Sequence, residues 1–264
     1  MSSNVYIECL ITILVMVSVI LLFESIKCVI NFIGSGLIIA IISWKITETV
    51  NRYKRQKSVV SSNGKAVLIT GCDSGFGNGL AFKLNRLGFH TIALCLDVNG
   101  DGVKQLVERV VFPNNLSLLQ VDVTDDSMIE KSFGDITHIL KDKNLKLWAL
   151  VNNAGVFHIG FTEWDNSIDG YYRVFNVNTL GTIRMTRKYL PLIRESSGRV
   201  VNVLSGASRI SIEGVGAYSA SKYGSLAFND SLRREMFRFG VKVISVEPSC
   251  YRYLTFHTLI DQKI

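Results

Sequence analysis

The sequence predicts an α/β fold, a doubly wound parallel sheet, preceded by N-terminal transmembrane helices. Three observations carry this. Two long, nearly uncharged apolar runs precede Lys45; six short β-branched runs alternate with longer amphipathic stretches after Gly64; and a glycine-rich turn directly follows the first of those short runs. At 264 residues, 48% hydrophobic and 19% charged, the chain is neither a disordered nor a collagen-like or mucin-like polymer and is long enough to bury a sizeable core. Its mean hydropathy of +0.27 is high for a soluble enzyme, and the excess is concentrated at the N-terminus.

Val5 to Phe23 is a run of nineteen residues whose only charge is Glu8, and Cys28 to Trp44 is a second apolar run. Each is close to the roughly 17–25 residues a helix needs to cross a bilayer. Glu24-Ser25-Ile26-Lys27 between them is polar enough for a tight interfacial turn, so residues 1–57 are expected to form a retained anchor and basic linker, as two spans in a hairpin or one span plus an interfacial helix. A cleaved signal peptide would need a basic leader, and Met1 to Asn4 has no Lys or Arg. Lys45, Arg52, Lys54, Arg55 and Lys57 against Glu48 supply four of the seven net positive charges, which argues against nucleic acid as the partner. Cations beside a membrane span place the following domain on the cytoplasmic side and favour membrane lipid headgroups. Five cysteines without CxxC spacing suggest no disulfide framework, and four scattered histidines suggest no metal site.

Residues 58–264 are expected to form the globular domain. Its strands are placed at Ala66–Thr70, Thr91–Leu96, Ser117–Val121, Leu147–Asn152, Arg199–Leu204 and Val241–Val246, short and apolar as strands covered on both faces are. Helices are expected at Gly79–Leu87, Asp126–Lys141, Thr179–Glu195 and Ala217–Phe239.

The turn Thr70-Gly71-Cys72-Asp73-Ser74-Gly75-Phe76-Gly77 lies between a strand and a helix, where glycines let backbone approach a pyrophosphate and helix N-terminal amides attract its charge. Asp97 ends the second strand, where an acid accepts bonds from adenosine ribose hydroxyls and repels a 2′-phosphate, and no Lys or Arg occurs from Gly88 through Gly102. NAD is therefore favoured over NADP. The same aspartate also suits a plain turn in Asp97-Val98-Asn99-Gly100. Tyr218 and Lys222, four apart, share a helix face, and an ammonium there lowers the cost of forming a phenolate. Ser205, at the end of the fifth strand, can point into the same crevice, with Asn178 upstream.

These residues, in this order, resemble the short-chain dehydrogenase/reductase family over roughly Lys65 to Phe256. The resemblance implies a Rossmann sheet whose cofactor residues are Gly71, Ser74, Gly75, Phe76, Gly77, Asp97, the adenine-side pair Asp122 and Val123, the fourth-strand motif residues Asn153, Ala154 and Gly155, Tyr218, Lys222 and Pro248. It implies a catalytic set in which Tyr218 exchanges a proton with the substrate, Ser205 holds the substrate oxygen, Lys222 binds the nicotinamide ribose and tunes Tyr218, and Asn178 fixes a relay water. For Asn178 a helix-start cap is the alternative. TGCDSGFG, LWALVNNAGV and SLRREMFRFGVKV are similar to the branch of retinol dehydrogenases and 17β-hydroxysteroid dehydrogenases of types 2 and 6. That branch implies a lipophilic alcohol or ketone as substrate and a membrane location, the endoplasmic reticulum with the catalytic domain facing the cytosol ahead of the mitochondrial membrane. It leaves room for a homodimer.

Two departures qualify the expected activity. Ser249 stands where the family has glycine after Pro248, and Tyr253 where it has a threonine that meets the nicotinamide amide. Eleven residues follow Tyr253, whereas family members continue with a substrate-covering segment and a seventh strand, so a shortened C-terminus and an edge position for the sixth strand are expected. The alternative function is a truncated, weakly active or inactive dehydrogenase-fold protein with a binding or scaffolding role.

Overall fold

The computed structural model describes residues 3–57, 60–163 and 167–249, and the chain divides into two units, Met1–Ser61 and Ser62–Ile264. The first unit holds one helix, α1 (Ser3–Lys57). The expected turn at Glu24 to Lys27 is not formed. Ser25 Oγ donates to the Leu21 carbonyl at 2.9 Å and Lys27 pairs with Glu24 at 3.0 Å, so the polar residues are satisfied within the helix and nothing interrupts it. One helix thus takes the place of the hairpin. Its stretch Thr12–Val50, 39 residues, is long and apolar enough to cross a membrane. At 1.5 Å per residue it extends about 58 Å against about 30 Å of hydrocarbon. Its apolar side chains stand exposed, Phe32 at 79% and Trp44 at 65%.

In the second unit six strands form one parallel sheet: β1 (Lys65–Thr70), β2 (His90–Cys95), β3 (Leu116–Gln120), β4 (Lys146–Asn152), β5 (Arg199–Val203) and β6 (Lys242–Val246), in the order β3-β2-β1-β4-β5-β6. Each lies within one residue of its expected place at either end. The helices are α2 (Gly75–Arg86), α3 (Asp101–Arg109), α4 (Asp126–Asp142), α5 (Asp169–Val174), α6 (Thr182–Glu195) and α7 (Gly216–Phe237). The nine-residue α3 was not among the expected helices; its Val103 and Leu106 are buried. Chain order reverses between β1 and β4, which opens the crevice at the strands' carboxyl ends where doubly wound sheets bind ligands.

Alternation along the strands builds two cores. Leu68, Ile92, Leu147 and Val200 pack on one face with Ile136 of α4, Tyr189 of α6 and Leu232 of α7. Val67, Ile69, Ala93 and Val151 pack on the other with Ala81 of α2 and Leu106 of α3. Among the described residues, β5 and β6 lack the cover on one face that their apolar sequences lead one to expect. Val201, Val203 and Val246, with Trp148, Ala149 and Val151 of β4, line an open apolar groove of about 540 Å³. Among the described residues the helices on that side are α2 and α3, which lie against the β1–β3 half, and β6 is a sheet edge as expected.

A buried asparagine relay crosses the covered side. Asn152 of β4 donates to Asn202 of β5 at 2.8 Å, and Asn202 donates to Asn229 of α7 at 3.0 Å, which fixes the helix that carries Tyr218 and Lys222.

Candidate active site

The turn between β1 and α2 is set by close approach. A Cβ on Gly77 would lie 2.2 Å from the Gly71 carbonyl oxygen, and one on Gly71, at φ +68°, would lie 2.8 Å from the Ala154 backbone. Gly75, at φ +60°, faces open space. Ser74 precedes α2 without a side-chain cap, and the first turn of α2 carries no acid, so the positive end of its dipole suits an anion. Ser74, Gly75 and Phe76 are exposed. This is a cradle that fits a dinucleotide pyrophosphate.

Thr70 joins this turn to the end of β4. Its Oγ1 accepts the backbone N–H groups of Asn153 at 3.0 Å and Ala154 at 2.9 Å, while Asn153 Nδ2 donates to the carbonyls of Thr70 and Gly71, each at 2.9 Å. Asn153 therefore acts as a staple between the two strand ends, a role its place in the motif did not reveal. Gly155 follows, and a Cβ there would meet Asn178 Oδ1 at 3.3 Å and Lys222 Nζ at 3.6 Å.

Asn178 does not start a helix. It lies inside a widened, π-helical segment, Phe175–Gly181, that joins α5 to α6. It is 2% exposed. Its Oδ1 accepts the Val156 N–H at 2.8 Å, and its Nδ2 donates to the Val156 carbonyl and to Ser221 Oγ, both at 3.0 Å. The capping alternative is thus replaced by a clamp between the loop after β4 and α7. Ser221 and Ser225 complete this clamp, Ser225 Oγ donating to the Asn178 carbonyl at 3.0 Å. Their spacing of four on α7 was the signal that could have identified them.

Lys222 is buried, and its Nζ donates to the Val203 carbonyl at the end of β5 at 3.0 Å. Burial pushes its ammonium down to about 8. The Nζ lies 5.7 Å from the centre of the Tyr218 ring. Tyr218 is half-buried and packs edge-on against Phe157 at 4.8 Å. Ser205, two residues beyond Val203, is also half-buried, and its Oγ accepts the Ala207 N–H at 3.1 Å. The Gly206 N–H donates to the Pro248 carbonyl at 2.8 Å, tying the Ser205 loop to the end of β6. From Gly71 through Ala154, Gly155, Asn178 and Lys222 to Ser205 and Pro248, successive contacts follow the carboxyl ends of β1, β4, β5 and β6.

On the other side of β1, Asp97 is exposed and its Oδ1 accepts the Asn99 N–H at 2.9 Å, so it forms the turn and also presents a carboxylate beyond β2. Asp122 accepts from Thr124 N–H and Oγ1 at 2.8 and 2.7 Å; its carboxylate is engaged locally, beyond β3. Val123 packs on Gly181, where a Cβ would approach it to 2.7 Å. Ser249 is exposed, and Tyr253 lies outside the described residues. Among the described residues Cys28, Cys72 and Cys95 are free thiols, and no cluster of metal-ligating side chains occurs.

The family model for short chain dehydrogenases matches residues 65–260. Among curated relatives, estradiol 17-beta-dehydrogenase 2 of Mus musculus is 40% identical over 188 residues, 71% of this chain and 48% of its own length. Retinol dehydrogenase 7 of Mus musculus is 43% identical over 207 residues, 77% of this chain and 62% of its own. The chain thus spans about half to three fifths of the length of these relatives. A short-chain dehydrogenase from Streptomyces avermitilis superposes with a TM-score of 0.66 at 31% identity, covering 74% of this chain and 69% of that one. A 3-ketoacyl-(acyl-carrier-protein) reductase from Brucella melitensis complexed with NADH, at 23% identity and a TM-score of 0.64 over 70% of this chain and 75% of its own, shares the fold.

Proposed function

This chain belongs to the short-chain dehydrogenase/reductase family, which binds nicotinamide cofactors, and from that premise we propose that it is a membrane-anchored, NAD-dependent oxidoreductase acting on the CH–OH group of a lipophilic alcohol, or the matching ketone, of the hydroxysteroid or retinoid class. The observation that carries the reading is the buried Lys222, held by the Val203 carbonyl beside Tyr218 and in front of Asn178. The names of the relatives, a retinol dehydrogenase and an estradiol dehydrogenase, support the substrate class. The apolar stretch of α1 supports the anchor; the membrane of this reading is the endoplasmic reticulum, with the domain on its cytosolic side.

Gly71, Ser74, Gly75, Phe76 and Gly77 would hold the pyrophosphate, Asp97 the ribose, Asp122 and Val123 the adenine side, and Asn153, Ala154, Gly155, Lys222 and Pro248 the nicotinamide half. When bound, the nicotinamide supplies the hydride acceptor or donor. Tyr218 takes the hydroxyl proton in oxidation and returns it in reduction. Lys222, positively charged and shielded from water, lowers the cost of the Tyr218 phenolate. The Ser205 hydroxyl donates to the substrate oxygen as charge develops on it. Asn178 holds the loop after β4 against α7, so that Gly155 and Lys222 keep their separation. The edge-on Phe157 supplies an apolar wall beside Tyr218.

The test is Tyr218→Phe in the full chain in membranes, with hydroxysteroid and retinol substrates and NAD. The variant is expected to bind NADH as wild type does and to lose at least about a hundredfold in turnover. Equal turnover in the two proteins would exclude Tyr218 as the acid/base. The open groove at Val201, Val203 and Val246 favours a second reading, a weakly active protein that binds through that face. Absence of turnover in wild type with NADH binding retained would select it.

A further inference from the structure

Asp73 stands in the middle of the glycine-rich turn, and its side chain reaches across to the neighbouring strand. Its Oδ1 accepts the N–H of Asp97 at 2.9 Å and its Oδ2 that of Leu96 at 3.1 Å. The same stretch is held from the other side, because a Cβ on Gly102 of α3 would lie 2.0 Å from the Asp73 carbonyl oxygen. Asn78 closes this joint, its Nδ2 donating to the carbonyls of Cys72 at 3.1 Å and Gly102 at 2.9 Å. The backbone from which Asp97 presents its carboxylate is therefore fixed by a second carboxylate.

Two acids thus share one corner of the crevice. Among the described residues no Lys or Arg forms an ion pair with either. The charge of Asp73 is felt nearby: the Cys95 thiol is pushed up to about 12, first by burial and then by Asp73. An acid at this place is more than a turn former, since the two N–H groups it accepts belong to the strand end that must meet the ribose.

We propose that Asp73 is a second coenzyme-selecting residue, acting on and beside the acid at Asp97. Asp73 is the positioning residue for Asp97, and its own negative charge adds to the barrier against a ribose 2′-phosphate. The inference rests on the reading of this crevice as an NAD site.

The experiment compares wild type, Asp73→Asn, Asp97→Asn and the double variant as full chains in detergent. NADH and NADPH dissociation constants are read from nucleotide fluorescence, and melting temperatures without nucleotide from thermal unfolding. Asp73→Asn keeps the size of the side chain and one acceptor while removing the charge. It is expected to lower the preference for NADH over NADPH about tenfold, with NADPH bound no more weakly than before. Asp97→Asn leaves both bonds from Asp73 to the backbone intact, so it folds independently of that joint and lowers the same ratio. The double variant is expected to fall short of the product of the two, because Asp73 acts partly through Asp97. Equal weakening of both nucleotides by Asp73→Asn, or an unmoved ratio, overturns the inference, and a fully multiplicative double variant overturns the positioning role. Wild type that binds neither nucleotide overturns the NAD reading and this inference with it, whereas wild type that prefers NADH beside an unmoved Asp73→Asn ratio overturns this inference alone.

Discussion

The two halves of the sheet are built from similarly apolar strands and end up in different surroundings. Along β1 and β2 every residue but Lys65 is buried, because helices lie against both faces. Along β5 and β6 burial alternates: Val200 and Val243 are buried, while Ile244 and Val246 are 36% and 43% exposed and Val201 borders the open groove. A run of Val and Ile makes a face able to be buried; only the neighbouring elements decide whether it is. The difference also divides the work of the site. The doubly covered half offers fixed backbone, the glycine turn pressed against Ala154. The half covered on one side offers side chains, Ser205, Tyr218 and Lys222, from a loop and a helix.

The sharpest way to break the covered half is Gly77→Ala. The new Cβ would lie 2.2 Å from the Gly71 carbonyl oxygen and 2.4 Å from Asn153 Nδ2, and the first of these is backbone that cannot swing aside. Overpacking of this kind costs about 1–3 kcal/mol or more. The variant is expected to lose that much stability in urea denaturation and at least tenfold in NADH affinity. Alanine at Gly79, where nothing lies within 4 Å, is the control and is expected to leave both near wild type.

In the catalytic half a buried charge replaces tight backbone as the point of tension. Lys222 titrates near 8 in the folded chain, through burial, and near 10.4 when unfolded. Between those values the unfolded chain binds the extra proton, so stability rises with pH across this window, and below about pH 8 the full penalty remains. Lys222→Met removes the titration. Urea unfolding at pH 7, 8, 9 and 10 is expected to show wild type gaining on the variant above pH 8, by at most about 1.4 kcal/mol per pH unit. Parallel curves would show that burial does not depress the titration of Lys222 in the folded chain.

The strands were legible because their signal is local, a short apolar run between turn residues, and the order of glycine turn, acid, serine, tyrosine and lysine was legible as a linear pattern. The joints between these pieces were not. Thr70 Oγ1 meets Asn153 across 83 residues, and Asn178 meets Ser221 across 43, contacts that exist only once the sheet and α7 are assembled. The Glu24 to Lys27 stretch departs from expectation for a related reason: residues that look like a turn from their polarity find partners one helical turn away, Lys27 in Glu24 and Ser25 in the Leu21 carbonyl. The open face of β5 and β6 among the described residues was hidden most completely, since the strand sequences there suit two covered faces.

That last point yields the finest test of the comparison, and the smallest effects. Val200 and Val201 are adjacent in β5 with opposite faces; Val200 is fully buried against the α6 and α7 side, and Val201 borders the groove. Valine to threonine keeps the shape and β-branching and exchanges a methyl for a hydroxyl, so the change measures burial with little else altered. Val200→Thr places an unpaired hydroxyl in a dry core and is expected to cost about 1–3 kcal/mol. At Val201 the hydroxyl meets water in the groove, and a cost within about 0.5 kcal/mol is expected. Urea denaturation of the two variants reads the difference directly. Equal losses would mean that the groove face is as dry as the helical one and that the two halves of the sheet are covered alike.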